Sequence, residues 1–522
     1  MKDGETNKPS LAQQTLNNSF YSVVAYIWPI LFSIVITPIV VLRLGVVQYG
    51  LFVFITTVSG LLGLVAGGVT SSTIRHITHY RAQGDSAKVR TLSRTTHFMF
   101  LAIGFIGAAS IVGGFALTSH SSFSSYSFTH RQLLTFFSLA ALNFFIQTSL
   151  NLYQLVPVTL QRFDVSSLLS MLNLTLLSIG NLVLVLLGFG IESLLVWQIV
   201  LGLGISLAFK TISEGLLPES RYALGFDKAE FLQCVKFGSM STLNDLARTS
   251  LISLDRLLIP FFVGVSQLTY YSLPGNVASR IPGTADTLSG IIFPTATSLH
   301  SGGHMERLRI LYVRSSRLIM NVSFAIAVTI ILNASYILRY WLNASFAQNS
   351  TYVLIILSVT NLILSLLSPL ASFFMGMNKL KFNTALSFFM AALNIVALAV
   401  LLPRFGITGA AYAYLLSVLP IFYAIYVIEH DYLDLKGRAR YYAMLVLKHA
   451  SVSAIMLAAT VYVIHPLVTN LFTLAVLGPL AVVAYILVYW VLGFFEKEDV
   501  NDLKIFVGRF AKKLGSFAKA KA

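Results

Sequence analysis

Long apolar runs recur along the whole chain, and short polar stretches with most of the charged residues separate them. Each run holds roughly 18 to 25 mostly apolar residues, enough to cross a hydrocarbon layer of about 30 Å as an α-helix. Transmembrane β-strands would instead appear as segments of about ten residues with alternating polarity. The pattern therefore predicts an all-α polytopic membrane protein.

We predict about fourteen membrane spans from this pattern. The first seven cover residues 20–42, 49–70, 98–117, 133–155, 165–187, 193–212 and 237–263. The other seven cover residues 270–297, which prolines interrupt, and residues 318–340, 352–374, 382–402, 409–428, 446–464 and 471–495. The first run is too long for the apolar core of a signal peptide, so we interpret it as a span.

Composition supports this interpretation. Hydrophobic residues make up 56% of the 522 residues and charged residues 11%, which argues against a water-soluble protein. Cys234 is the only cysteine, so an intramolecular disulfide and a cysteine-based metal cluster are excluded. No cofactor is predicted. The net charge of +16 could indicate nucleic-acid binding, but its location in loops argues against that partner.

Basic residues concentrate in alternate loops, as the positive-inside rule requires. The basic loops follow spans two, eight and twelve, and a lysine-rich tail follows span fourteen. Their residues include Arg75, Arg81, Lys88, Arg90, Arg94, Arg307, Arg309, Arg314, Arg317, Lys436, Arg438, Arg440 and Lys448. The opposite loops carry little more than Arg43, Arg131, Arg339 and Arg404. We therefore expect both termini in the cytoplasm, with an amphipathic segment at residues 500–517 resting on anionic headgroups.

Two short sequence similarities indicate an internal repeat. Gly-Val-Val-Gln at residues 45–48 resembles Gly-Val-Ser-Gln at 264–267, and Phe-Gly-Ile at 189–191 recurs at 405–407. The offsets, 219 and 216 residues, fit one six-span unit. This predicts an N-lobe at residues 1–225, a C-lobe at 226–440, and two additional spans with a basic tail at 441–522.

Polar residues inside the predicted spans concentrate on spans seven and eight. They are Asn244, Asp245, Arg248, Asp255, Arg256, Asn276, Arg280 and Asp286. A charge at the centre of a membrane helix costs at least about 2.5 kcal/mol, so such a cluster marks a functional site. The four charges of span seven fall within about a third to a half of the helix circumference.

Depth along the helices suggests how these charges combine. Arg256 and Arg280 are expected about 12 Å and about 15 Å below the outer boundary, where both could bind one anionic group. Arg248 and Asp286 are expected at a similar depth of about 24 Å, as an ion pair. The alternative is that the charges only fix helix packing, as Asp245 and Arg248 could do at i,i+3. Asp245, Asp255 and Asp286 are predicted to form such ion pairs or to bind a coupling ion.

Span four carries amides instead of charges. Asn143, Gln147, Asn151 and Gln154 share one face of the predicted helix. The first three are candidates for binding sugar hydroxyls, although amides also join membrane helices to one another. An arginine-bearing half and an amide-bearing half would suit a phosphate joined to a glycan, because guanidinium groups match phosphate oxygens.

Four segments resemble the multidrug, oligosaccharidyl-lipid and polysaccharide exporter superfamily, and most closely its Wzx-type oligosaccharide flippases. They are residues 20–50 with the Leu-Gly-Val-Val-Gln-Tyr-Gly turn, 254–259 with Leu-Asp-Arg-Leu-Leu-Ile, 293–299 with Phe-Pro-Thr-Ala-Thr-Ser-Leu, and 402–412. The resemblance implies two six-helix lobes in a V, alternating access, and a polyprenyl-diphosphate-linked oligosaccharide as substrate. Asp255, Arg256 and Arg280 match the second-lobe pattern, which implies a role in the cavity. Lipid II flippases have arginines in their first two spans, and this chain lacks them there.

The function predicted is thus a flippase of the bacterial inner membrane for O-antigen, capsule or exopolysaccharide synthesis, working beside a polysaccharide polymerase. A drug or cation antiporter of the same superfamily is one alternative, although arginines would repel cationic cargo. A glycan polymerase or ligase is another, but such enzymes carry long charged outer loops, and the outer loops here are short. A structural scaffold would leave the intramembrane charge unexplained.

Overall fold

The computed structural model describes residues 32, 34–118, 128–221, 223–435 and 437–496. Secondary structure in these residues is helical, without strands. Most of the first predicted span, residues 119–127 of the loop after span three, Lys436 and the predicted amphipathic tail lie outside the described residues. The all-α prediction is confirmed.

The helices of the first half follow the predicted spans. They are α1 (Ile34–Leu44), α2 (Val46–Ala82), α3 (Ser86–Thr118), α4 (His130–Ser149), α5 (Asn151–Thr159), α6 (Phe163–Leu186), α7 (Ile191–Leu216) and α8 (Lys228–Phe262). Several extend well beyond the apolar spans, because hydropathy locates only the apolar part of a helix. Lysine and arginine are good helix formers, so α3 and α8 begin within basic segments.

The second half contains shorter and more interrupted helices. They are α9 (Val265–Ala278), α10 (Arg280–Ser301), α11 (Met305–Leu332), α12 (Ala334–Trp341), α13 (Ala344–Ser365), α14 (Leu367–Gly376), α15 (Leu380–Val418), α16 (Pro420–Val427), α17 (Ala439–Ala459), α18 (His465–Leu467) and α19 (Leu471–Val491). A π-helical turn, Ile428–Tyr432, follows α16, and another, Thr460–Ile464, follows α17.

Ten helical segments among the described residues are long and apolar enough to cross a membrane. One of them, Lys381–Tyr432, contains predicted spans eleven and twelve, and the backbone leaves the helical region between them at Gly406, where φ is +58°. The charged helices α8 and α9–α10 correspond to spans seven and eight, and α1 is the described end of span one. The helices therefore agree with about fourteen spans, and the protein is a multi-pass membrane protein.

The chain divides into two compact units. The first contains the described residues up to Ser272 and Leu398–Ala410, and the second contains Leu273–Ala397 and the described residues from Ala411 onward. The predicted division at residues 225 and 440 stays a prediction. Gly45 and Gly264, equivalent in the proposed repeat, have φ of +82° and +113°, and each immediately precedes a helix.

Helix α2 packs along the length of α8 in the first unit. At one end the rings of Phe54 and Phe261 meet edge to face, 5.7 Å apart. In the middle Gly68 and Gly238 bring the two backbones together, since a Cβ on Gly68 would lie 2.5 Å from the carbonyl oxygen of Gly238. Small residues allow this close approach of membrane helices.

The second unit is built around α10, α11, α13 and α14. Tyr312 of α11 packs edge to face against Phe373 of α14, at 5.2 Å between ring centroids. Helices α17 and α19 pack on α11 through a buried aromatic stack in which His449 lies 4.2 Å from Phe324. The two additional spans are thus joined to this unit by aromatic packing.

Candidate functional site

The charged stripe of α8 separates into buried and accessible groups. Asp255 is only 2% exposed, and the hydroxyl of Tyr271 donates a hydrogen bond to it. Arg256 is half-buried, and its backbone N–H donates a hydrogen bond of 2.7 Å to the carboxylate of Asp255. Arg248 is exposed. Asp255 is therefore held by a tyrosine from the next helix, while the Arg248 side chain reaches the surface of the unit.

Asp245 lies three residues before Arg248 on α8 and is half-buried.

The charges of span eight, Arg280 and Asp286, lie on α10 in the second unit. Helix α9 ends at Ala278 and α10 begins at Arg280. Pro282 explains this break, because it has no N–H to donate to the carbonyl of Ala278 and its ring would clash there. Arg280 is therefore the first residue of a new helix.

The remaining polar residues of span eight have neighbours in their own unit. Asp286 is exposed and accepts a hydrogen bond from the hydroxyl of Ser368 on α14. Asn276 is half-buried, and its backbone carbonyl accepts a hydrogen bond of 2.9 Å from the hydroxyl of Ser279. The predicted pairings of Arg256 with Arg280 and of Arg248 with Asp286 stay predictions.

The amides of span four contact other helices of the first unit. The helix is interrupted at Leu150, so Asn143 and Gln147 lie on α4 and Asn151 begins α5. Gln147 packs against Gly202 of α7, because a Cβ on that glycine would lie 1.9 Å from the Nε2 atom of Gln147. Asn151 donates a hydrogen bond of 3.4 Å to the hydroxyl of Thr70 on α2.

These contacts favour helix packing as the role of Gln147 and Asn151. The side-chain oxygen of Asn143 is buried and accepts no hydrogen bond from the described residues. The break at Leu150 also divides the single polar face expected from the sequence between two helices, α4 and α5.

Sequence reasoning missed the partners that hold the charges. Tyr271 and Ser368, which bind Asp255 and Asp286, lie 16 and 82 residues away from them. Their hydroxyls carry no signal in a single sequence, since tyrosine and serine are common in membrane helices. Among the described residues, no group of three or more His, Cys, Asp or Glu residues could hold a metal ion.

Comparison with known proteins gives the family. A family model described as "Polysaccharide biosynthesis protein" matches residues 40–351, more than half of the chain. The chain belongs to this polysaccharide biosynthesis family. No curated protein matches the chain.

Solved structures show the fold of this family member. The structure of "Lipid II flippase MurJ, inward closed conformation" aligns with a TM-score of 0.70 at 11% identity, covering 92% of this chain and 99% of MurJ. An inward-facing MATE multidrug transporter of the MOP superfamily aligns with a TM-score of 0.56 at 14% identity, and the alignment covers 80% of this chain and 94% of the transporter. A MATE transporter from Vibrio cholerae aligns with a TM-score of 0.54 at 14% identity, and the alignment covers 82% of this chain and 98% of that transporter. The predicted superfamily and fold class are confirmed.

Proposed function

We propose that this protein is a flippase that moves a polyprenyl-diphosphate-linked oligosaccharide across the inner membrane for polysaccharide synthesis. Membership of a polysaccharide biosynthesis family and the MurJ-like and MATE-like fold support transport of a lipid-linked intermediate. The observation that carries the proposal is the exposed side chain of Arg248 on α8, the helix that contains predicted span seven. Such a charge is costly in lipid unless it faces a partner or a polar pathway.

The arginines are the proposed ligands of the diphosphate. Arg248 and Arg256 lie about 21 Å and about 9 Å from the end of α8 at Phe262, by the rise of an α-helix. Arg280 begins α10, where the partial positive charge of the helix N-terminus adds to that of its guanidinium. Guanidinium groups bind phosphate oxygens through paired hydrogen bonds, which suits this substrate better than a cation.

The polar uncharged residues have a secondary role in this proposal. Asn276 is placed one turn before Arg280 and would contact the same substrate. Gln147 and Asn151 would contact sugar hydroxyls only if the substrate displaced their present contacts with α7 and α2, whereas the buried oxygen of Asn143 accepts no hydrogen bond from the described residues and is the proposed acceptor for a sugar hydroxyl.

The carboxylates divide between structure and coupling. Asp255 is buried beneath Tyr271 and is assigned to holding α8 against α9. Asp245 and Asp286 are less buried and are the proposed sites for a coupling proton or sodium ion. Flipping that is unaffected when both gradients are collapsed would remove this coupling role without affecting the substrate assignment.

The lipid II flippase structure has the same fold, but the sequence resemblance implies arginines in the first two spans of lipid II flippases. Helix α2 has no arginine before Arg75, close to its end. We therefore assign an oligosaccharide linked to the polyprenol rather than lipid II. The polysaccharide polymerase of the same pathway is the proposed next partner.

Genetic complementation with lipid analysis tests the proposal. A deletion strain should accumulate the polyprenyl-linked glycan on the cytoplasmic side, and wild-type protein should relieve this. Arg248→Gln, Arg256→Gln and Arg280→Gln should each lower flipping at least tenfold at equal membrane abundance, consistent with loss of a charge-assisted contact of about 1.5–3 kcal/mol. Lys236→Gln is the matched control, since Lys236 is an exposed cation of α8 outside the predicted span.

Two outcomes would contradict the proposal. Full flipping by all three arginine variants would show that these residues only fix packing. Export of cationic drugs by the wild type, without relief of glycan accumulation, would favour the antiporter alternative.

A further inference from the structure

A cavity of about 500 Å³ lies within the second unit, and none of the proposed glycan-site residues lines it. Helices α11, α14 and α16, the π-helical turn after α16 and the start of α17 form its walls. Its volume is within the range of about 300–1,000 Å³ that is usual for small-molecule sites. Most of the wall is apolar and includes Met320, Leu370, Ile425 and Leu445.

One end of the cavity is polar, and a buried carboxylate organises it. Glu429, which is 6% exposed, belongs to the π-helical turn. The hydroxyl of Tyr442 on α17 donates a hydrogen bond to it, and Tyr312 on α11 forms another. The two tyrosines bind the carboxylate, which lines the polar end of the cavity together with them.

Arg438 lies beside this carboxylate at the same end. Its Nη1 atom is 3.5 Å from Oε1 of Glu429, and its guanidinium lies over the ring of Tyr441 at 4.3 Å. Two tyrosine hydroxyls already bind Glu429. The guanidinium of Arg438 has five N–H donors, and its ion pair with Glu429 does not use all of them.

Two buried polar atoms at this end make no hydrogen bond to any described residue. They are Nη1 of Arg438 and the hydroxyl oxygen of Tyr441. The Nη1 atom has only the 3.5 Å ion pair with Glu429, and a buried polar group without a hydrogen bond costs about 1–3 kcal/mol, so the arrangement favours a ligand that supplies acceptors. Anionic oxygens beside an arginine and a tyrosine hydroxyl match a phosphate group.

The position of the cavity indicates what carries this phosphate. Its polar end lies where α16 ends and α17 begins, among the basic residues that follow span twelve. Such residues attract anionic headgroups at the membrane surface. The rest of the cavity is apolar, so the ligand combines a phosphate with a hydrocarbon chain.

We propose that this cavity binds an anionic phospholipid, with its phosphate on Arg438 and Tyr441 and one acyl chain along Met320 and Leu370. The lipid touches α17 as well as α11, α14 and α16, so its binding stabilises the attachment of the first additional span to the second unit. This inference goes beyond the proposed flippase function and does not depend on it.

Native mass spectrometry of the full-length protein in detergent tests the site. We expect phosphatidylglycerol to bind at least tenfold more tightly than phosphatidylcholine with the same acyl chains. Arg438→Gln should remove that preference, whereas Arg440→Gln, an exposed neighbour that does not line the cavity, should keep it. Ser316→Phe fills the cavity from α11 and should abolish binding while the protein remains folded.

The result that overturns the proposal is equal binding of the two lipids by the wild type, or an unchanged preference in both Arg438→Gln and Ser316→Phe. Phosphatidylglycerol should raise the thermal unfolding midpoint, and inorganic phosphate alone should not. If inorganic phosphate raised the midpoint as much as phosphatidylglycerol does, the cavity would be a phosphate site instead. Displacement of phosphatidylglycerol by an equimolar polyprenyl phosphate would assign the cavity to the transported substrate and would also overturn the proposal.

Discussion

The hydroxyl of Tyr80 on α2 donates a hydrogen bond of 3.0 Å to Oε1 of Glu230 on α8. Both side chains are buried, at 6% and 7% exposure, near the start of α8. Gln233 is a second acceptor for the same hydroxyl, at 3.2 Å. These bonds fasten one end of the α2–α8 contact, which Gly68 and Gly238 form in its middle.

Removing the Tyr80 hydroxyl should weaken this contact. Tyr80→Phe leaves the buried carboxylate of Glu230 without its donor, and such a loss costs about 1–3 kcal/mol. The thermal unfolding midpoint in detergent should fall accordingly. Tyr352→Phe is the control, because Tyr352 is 75% exposed and should tolerate the change. An equal midpoint for Tyr80→Phe and wild type would show that the bond contributes nothing.

The same pair gives a pH dependence. Burial raises the pKa of the Glu230 carboxyl above its ordinary value, and the Tyr80 hydrogen bond opposes this rise. A raised pKa in the folded state means that the contribution of Glu230 to stability is fully present below the unfolded-state pKa. This contribution is lost as the pH rises through the folded-state value.

Glu230→Gln removes this titration but keeps an oxygen that can accept from Tyr80. The variant should therefore unfold at a higher temperature than wild type at pH 8, and the difference should shrink as the pH is lowered. Glu192→Gln changes an exposed carboxylate and should leave the pH profile unchanged. If the difference in unfolding temperature between Glu230→Gln and wild type grew toward acidic pH, this prediction would be wrong.

Gly68 allows a more severe test of the α2–α8 contact. A Cβ at this position would lie 2.0 Å from Oγ1 of Thr242 and 2.5 Å from the carbonyl oxygen of Gly238. The threonine can rotate, but the backbone carbonyl cannot move without shifting a helix. Gly68→Ala should cost about 1–3 kcal/mol, as overpacked cores do.

The adjacent glycine is a matched control for this variant. A Cβ on Gly67 would meet nothing within 4 Å, so Gly67→Ala should be stable. Both variants are compared by the fraction that remains monodisperse after heating in detergent. If the two behave alike, the helices do not require close approach at Gly68.

Hydropathy and charge sufficed for the helical class and for about fourteen helices, whereas the role of the charges on spans seven and eight stays a prediction. They could not supply the contacts, because these depend on which helices meet. Asp255 illustrates the limit: its place in the α8 stripe follows from periodicity, but its burial beneath Tyr271 follows from packing of α8 on α9. Arg438 was predicted only as a basic loop residue and its pairing with Glu429 was not predicted, because a residue near a helix end appears as ordinary interfacial charge in the sequence.

The predicted membrane topology can be tested by cysteine labelling, because the chain has a single native cysteine that would compete for the label. Cys234 is 1% exposed, so it should react little with maleimides in the folded protein. Gln83→Cys lies in a loop expected to face the cytoplasm, and Thr469→Cys lies in one expected on the opposite side. We expect a membrane-impermeant maleimide added to intact cells, after outer-membrane permeabilisation, to label Thr469→Cys and not Gln83→Cys. The reverse labelling would invert the topology.

Pro282 provides the final prediction, because it sets where α9 ends and Arg280 begins a new helix. Pro282→Ala restores an N–H that can donate to the carbonyl of Ala278, so α9 and α10 should merge into one helix and Arg280 should change direction. Stability should be equal or higher, since the helix gains a hydrogen bond, while flipping should fall at least tenfold if Arg280 binds substrate.

Pro294→Ala is the matched control for this prediction. Pro294 lies inside α10, which continues through it without a break, so its replacement should not redirect Arg280. Purified variants are compared by thermal unfolding, and complementation of the deletion strain reports flipping. Normal flipping by Pro282→Ala would mean that the break is not required. Loss of both stability and flipping would show instead that Pro282 acts through packing.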